Sequence, residues 1–203
     1  MSLYPVMLHG DAIIALVVGA GPVAARRAAA LLEAGALVRV VALEVGGQMA
    51  DLLREHARLN VAQRAFDERD LDGCTLVVAA TGAREVNARV ARLARGRCLP
   101  VSVADAPDEG TFSTAAVHRA GDLVVAVGAG GVPTAAMRVR DAVGEWLDAR
   151  MGDAVARLGA LRARLLASDD ASTWRRAALE LTGPDFVARV RAGTFSEQMH
   201  GWE

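Results

Sequence analysis

Val17-Val18-Gly19-Ala20-Gly21-Pro22-Val23-Ala24 joins an apolar, β-branched run to an alanine-rich amphipathic one. It reads as the end of a strand, a glycine turn and the start of a helix. Gly19 permits the tight turn, Gly21 lets a pyrophosphate come close to the backbone, and small Ala24 lets the helix pack on the sheet. Pro22 fits the first helical turn, where its missing N–H would be unpaired anyway. The helix N-terminus then offers phosphates its free N–H groups and the positive end of its dipole. A glycine turn that merely joins strand to helix is the plainer alternative, since a lone G-x-G-x-x-A is common. The context favours the nucleotide reading: a strand before, a helix after and a second strand beyond.

Working outward, Ile13–Val18, Leu37–Leu43, Asn60–Ala65, Thr75–Ala80 and Leu99–Val103 read as strands. Several are apolar nearly throughout, as strands buried on both faces of a parallel sheet must be. Pro22–Ala34, Gly47–Arg58 and Arg84–Arg95 read as the helices between them. In the last, Val86, Val90, Leu93 and Ala94 share one face at helical spacing and arginines occupy the other. Strand–helix alternation with short connections predicts a Rossmann-type α/β unit with a parallel sheet over residues 1–112. After Pro107 the pattern changes. Thr111–His118 and Leu123–Val127 read as two more strands, followed by a glycine loop at 128–133 and a helix over Thr134–Ala149. This gives a β–helix extension, 113–150. From 151 to 203 only helices are expected, roughly 151–167, 172–182 and 184–191, broken at Ser168-Asp169-Asp170 and Thr182-Gly183-Pro184.

The 203 residues carry 23 basic and 24 acidic side chains, and every basic one is arginine. The missing lysine excludes Schiff-base enzymes and a Walker-type phosphoryl transferase. The Tyr-x-x-x-Lys couple of short-chain dehydrogenases is excluded as well, since Tyr4 is the one tyrosine. A formal net charge of −1 argues against a nucleic-acid groove. Cys74 and Cys98 form no Cys-x-x-Cys and read as small hydrophobes. The start, Met1 to Asp11, lacks the basic and apolar regions of a signal peptide. The uncharged runs 12–25 and 123–137 are short for a membrane span and broken by Gly and Pro. A cytoplasmic protein without membrane or nucleic-acid partners is expected.

Other residues carry chemistry. Glu44 ends the second strand, 23 residues after Gly21, near the usual place of the acid that holds the ribose hydroxyls. An acid there repels a 2′-phosphate and favours NAD over NADP. It is otherwise a solvated strand-end glutamate. Thr81-Gly82 ends the fourth strand on the ligand edge. Asn87 either pins that loop or lies on the helix surface. In Ser102-Val103-Ala104-Asp105-Ala106-Pro107, Asp105 follows the fifth strand. Its place suits a general acid or base, and equally a turn residue before Pro107. His9, His56, His118 and His200 are scattered without ligand spacing, so no metal site is expected. His118 is kept in reserve, though a structural role is the commoner one.

The run Val17-Val18-Gly-Ala-Gly-Pro-Val-Ala-Ala-Arg-Arg, then Leu31-Leu32-Glu-Ala-Gly-Ala, resembles the bifunctional precorrin-2 dehydrogenase/sirohydrochlorin ferrochelatase family. That family includes the N-terminal module of siroheme synthase. Phe66 with Asp67, Leu76–Thr81, Asn87, Val103-Ala-Asp-Ala-Pro107 with Phe112, and Leu123-Val-Val-Ala-Val127 before Gly130-Gly131 extend the likeness from about Tyr4 to Arg150. The combination of V-x-D-A-P with V-A-V-x-x-G-G is far more specific than the glycine motif alone.

The resemblance implies oxidation of precorrin-2 to sirohydrochlorin with NAD, and in many members insertion of ferrous iron to give siroheme. It implies a homodimer formed through 113–150. Asp105 falls on the family's catalytic aspartate. Gly21, Pro22, Val23, Leu43, Glu44 and Thr81 fall on its nucleotide contacts. Gly128-Ala129 stand where the family commonly has serines, and Val132-Pro133-Thr134 where it has Ser-Pro, so regulation by a loop serine does not carry over. The methyltransferase module of siroheme synthase has no counterpart here, so the chain is not expected to make precorrin-2. Arg119, Arg138 and Arg140 are candidates to meet the carboxylates of such a substrate. The alternative from another class is a non-catalytic, NAD-sensing regulatory module in which Asp105 is only a turn residue.

Overall fold

The computed structural model describes residues 3–202; residues 1, 2 and 203, which the sequence reading included in its end segments, lie outside them. Two compact units divide the chain, Met1–Thr114 and Ala115–Glu203.

The first unit alternates strand and helix. In order it contains β1 (Ile14–Val18), α1 (Pro22–Glu33), β2 (Leu37–Ala42), α2 (Gly47–Glu55), β3 (Leu59–Gln63), β4 (Leu76–Ala79), α3 (Arg84–Gly96) and β5 (Val101–Val103). The five strands are all parallel in the order β3-β2-β1-β4-β5. The order reverses at β1, and the crevice outside the carboxyl ends of β1 and β4 is where such a sheet takes its ligand. Neighbouring residues of β1 serve opposite faces. Ala15 and Val17 join a core with Ala24, Ala25, Ala28 and Leu32 of α1 and Met49 of α2. Leu16 and Val18 join another with Val77, Val90, Ala91 and Ala94. Burial on both faces explains why these strands are apolar without alternation.

Several boundaries differ from the sequence reading for local reasons. Helix α2 ends at Glu55, because His56 is already extended (φ −125, ψ 109), and β3 starts at Leu59. A 3-10 turn at Glu68–Leu71 is closed by a reciprocal cap between Asp67 and Asp70, which gives Asp67 a structural role, while Phe66 packs against the core of Leu71, Val77 and Val90. The segment read as strand Thr111–His118 first anchors on β5. Thr111 N donates to Val101 O at 2.7 Å, and the Thr111 hydroxyl accepts from Val101 N at 2.9 Å.

The second unit opens with an antiparallel hairpin, β6 (Ala116–Ala120) and β7 (Leu123–Val127), followed by α4 (Pro133–Gly144), α5 (Ala149–Ala167), α6 (Ala171–Leu181), α7 (Phe186–Ala192) and α8 (Phe195–His200). The single helix expected over Thr134–Ala149 stops at Gly144. A new helix begins after Asp148, whose carboxylate accepts from Arg150 N at 3.0 Å as an N-cap. Helix α5 approaches the hairpin closely at Gly152, where a Cβ would lie 2.5 Å from Ala120 O. The segments 115–150 and 151–203 thus fall within one unit, while 113 and 114 belong to the first. Met151, Leu158, Leu161, Leu181, Phe195 and Met199 form the core of the second unit. Helix α8, absent from the sequence reading, supplies two of them.

Candidate functional site

The site lies at the carboxyl edge of the parallel sheet, and hydrogen bonds beyond the strand ends keep its parts in step. Gly19 N donates to Val41 O at 2.8 Å, Ala80 N to Val18 O at 2.8 Å, and Ala104 N to Ala79 O at 2.9 Å. The loops that leave β1, β2, β4 and β5 thus start side by side.

The two glycines of the first turn do different work. Gly19 has φ +112, and a Cβ there would lie 2.3 Å from Ala80 O, so glycine is demanded by the protein itself. At Gly21 a Cβ would meet nothing within 4 Å. Internal packing does not require that glycine. The open space over the first turn of α1 is what a pyrophosphate would need, with Gly21 as N-cap and Pro22 at the first helical position. The site therefore fits a dinucleotide. Gly46, N-cap of α2, lies against the same turn: its Cβ position is 3.0 Å from Ala20 O. Leu43 and Glu44 leave β2 beside this contact, both exposed, with Leu43 O accepting from Gln63 Nε2 at 3.2 Å. Val23 is also partly exposed on the first turn of α1.

Across the crevice, Asn87 organises the other half. It is the one fully buried polar residue among the described residues. Its Oδ1 accepts from Thr81 N at 3.0 Å and from the Thr81 hydroxyl at 2.8 Å. Its Nδ2 donates to Thr81 O at 3.1 Å and to Asp105 Oδ1 at 2.9 Å. All four bonds are made, as burial of an amide requires. The pinning role considered for Asn87 is the one it plays, and the surface alternative is excluded. Through it the loop after β4 and the turn after β5 become one piece.

Asp105 Oδ1 is thus held as an acceptor, while Oδ2 faces Arg84 Nε at 3.9 Å. Arg84, the first residue of α3, also pairs through Nη2 with Glu109. Neither Arg84 nor Glu109 stands out in the sequence. Arg84 carries only the faint signal of following Thr81-Gly82 at the ligand edge; Glu109 carries none.

In the second unit, His118 Nε2 lies 2.7 Å from Leu147 O and its ring packs on Gly144, so the reserve histidine is tied into packing. Arg140 pairs with its neighbour Asp141. The loop before α4 turns through Gly130 (φ +53) and Gly131 (φ +89), both left-handed. Among the described residues no group of three or more His, Cys, Asp or Glu could hold a metal ion. No helix among them is long and apolar enough to cross a membrane.

Comparison with known proteins gives four findings. Residues 6–116 match the family model described as "Putative NAD(P)-binding". Siroheme synthase of Pseudomonas entomophila (strain L48) is 45% identical over 140 residues, 68% of this chain and 30% of that protein. Siroheme synthase of Pseudomonas putida (strain W619) is 43% identical over 150 residues, 73% of this chain and 31% of that protein. The chain thus spans under a third of the length of these relatives. Among solved structures, SirC, a precorrin-2 dehydrogenase, superposes with a TM-score of 0.76 at 23% identity, covering 98% of this chain and 100% of that one. At that identity the likeness is one of fold.

Proposed function

Because this chain belongs to the NAD(P)-binding family that its residues 6–116 match, we propose that it oxidises precorrin-2 to sirohydrochlorin with NAD. Bound NAD would supply the hydride acceptor. Gly19, Gly21, Pro22 and Val23 would hold its pyrophosphate on the first turn of α1, Leu43 and Glu44 its ribose side, and Thr81 the rim of the crevice. Asp105 would take the proton that leaves the substrate with the hydride. Its Oδ2 is the oxygen free to do so, since Oδ1 already accepts from Asn87. The observation that carries this reading is the Thr81–Asn87–Asp105 chain, whose hydrogen bonds tie the proposed acid–base carboxylate to the loop at the edge of the crevice.

Names of relatives support the substrate: siroheme synthase for the sequence, precorrin-2 dehydrogenase for the fold. In the segment 113–150, Val132, Met137, Val139 and Trp146 are exposed apolar residues, in keeping with a homodimer formed through it. The free thiols of Cys74 and Cys98 are in keeping with a cytoplasmic setting. The test is direct. Purified chain is given precorrin-2 and NAD, and NADH is followed by absorbance, with and without ferrous iron to read metal insertion. NADH formation is expected. Firm NAD binding without turnover would instead support the NAD-sensing module and overturn the dehydrogenase.

A further inference from the structure

Resting on that reading, we infer that Arg84 is a specificity-determining residue that receives a carboxylate of the substrate beside Asp105. Precorrin-2 is rimmed with carboxylates, and it must bring one of its reacting atoms to Asp105. There it meets two acids, Asp105 and Glu109, and the guanidinium of Arg84 between them. Without a cation at this point, like charges would repel the substrate from the group meant to act on it.

The guanidinium is placed to be shared. At 3.9 Å it is beyond hydrogen-bond length from Asp105 Oδ2, so it does not occupy the oxygen that takes the proton. Only Nη2 is engaged, by Glu109, and Nη1 makes no hydrogen bond within the described residues. Arg84 and Glu109 are 45% and 41% exposed, and exposed ion pairs are weak because water screens them. A substrate carboxylate can therefore replace Glu109 at small cost, one carboxylate for another. The planar fork of arginine suits that exchange, since it binds carboxylates through two parallel N–H bonds. Arg84 is the arginine that stands beside the acid.

Steady-state kinetics with precorrin-2 and NAD test this. Arg84→Gln should raise the KM for precorrin-2 at least tenfold, with kcat within threefold and the KM for NAD within twofold. Arg84→Lys, which keeps the charge but loses the fork, should fall between. Arg97 closes the far end of α3, paired with Glu68 and Asp72; Arg97→Gln removes the same charge and should leave the precorrin-2 KM within twofold. An unchanged precorrin-2 KM in Arg84→Gln, or a loss confined to kcat, overturns the inference while native turnover leaves the proposed function standing. Should Arg84→Gln fail to fold, an unchanged KM in Arg84→Lys overturns it equally. Absence of turnover by the native chain overturns both.

Discussion

Leu76-Val77-Val78-Ala79 and Leu123-Val124-Val125-Ala126 are the same four residues in two settings. The first is β4, flanked by β1 and β5 and covered by helices, and all four of its residues are buried. The second lies in β7, half of a two-stranded hairpin, where no residue reaches full burial. Local sequence makes both of them strands, since β-branched runs fit a pleated backbone. Burial is set by what lies on either side. In the first unit the sheet completes its own core, and its exposed edge is left free for a ligand. In the second, an isolated hairpin is marginal and leans on α4 and α5, with apolar surface left over. That surplus is the physical case for a second copy.

The sharpest way to break this contrast is the same charge in both tetrapeptides. Val77→Asp buries an unpaired carboxylate at a fully enclosed position and should cost more than about 5 kcal/mol, unfolding the first unit. Val124→Asp should cost under about 2 kcal/mol and shift the proposed homodimer to monomer. Denaturant unfolding and sedimentation read the two, and equal destabilisation with no change in mass would end the comparison.

Next in size is the working edge of the first unit. Asp105→Ala should lower kcat about a thousandfold, roughly 4 kcal/mol of barrier, with NAD affinity within twofold. Turnover near the native rate would leave Asp105 as a turn residue. Then come the glycines. Gly21→Asp should weaken NAD about a hundredfold, roughly 2.7 kcal/mol, yet leave the melting temperature nearly unchanged because its Cβ meets open space. Gly19→Ala should do the reverse, destabilising by about 2 kcal/mol through its positive φ and the clash with Ala80 O. A calorimetric titration beside a thermal melt separates them.

The smallest effect concerns acid. Side-chain and backbone hydrogen bonds from Arg69 hold Asp67 down to about 2, and the hydrogen bond from Arg64 lowers Asp70. A carboxylate lowered by folding stabilises fully above its unfolded value near 4, and that stability is lost as pH falls through about 2. Stability should therefore decline between pH 4 and 2, and Asp67→Asn should flatten the decline. An identical slope in variant and native protein would show that this cap does not report on folding. Asp148 in the second unit, lowered by Arg150, provides the matching variant.

Much of the first unit was legible because its signals are local. A valine run, a glycine turn, Pro22 at a first helical position and an alanine face each act over a few residues. The glycine turn could be placed because its spacing follows the strand-to-helix geometry. Boundaries slipped where caps decided them, at His56 and at Asp148. Helix α8 was missed because six residues carry too little periodicity to show a face, and it is held by Phe195 and Met199 in a shared core.

The sequence by itself determined the parallel α/β unit, the glycine turn, the order of strands and helices in that unit and the exclusion of lysine chemistry. Those follow from backbone sterics, hydrophobic periodicity and residue inventory, which need no knowledge of distant partners. Tertiary structure alone decided that Asn87 is buried and bridges Thr81 to Asp105, that Arg84 and Glu109 stand beside that acid, and that one LVVA is enclosed while the other is not. Each depends on a contact between residues far apart in the chain, and a contact of that kind leaves no period in the sequence to read.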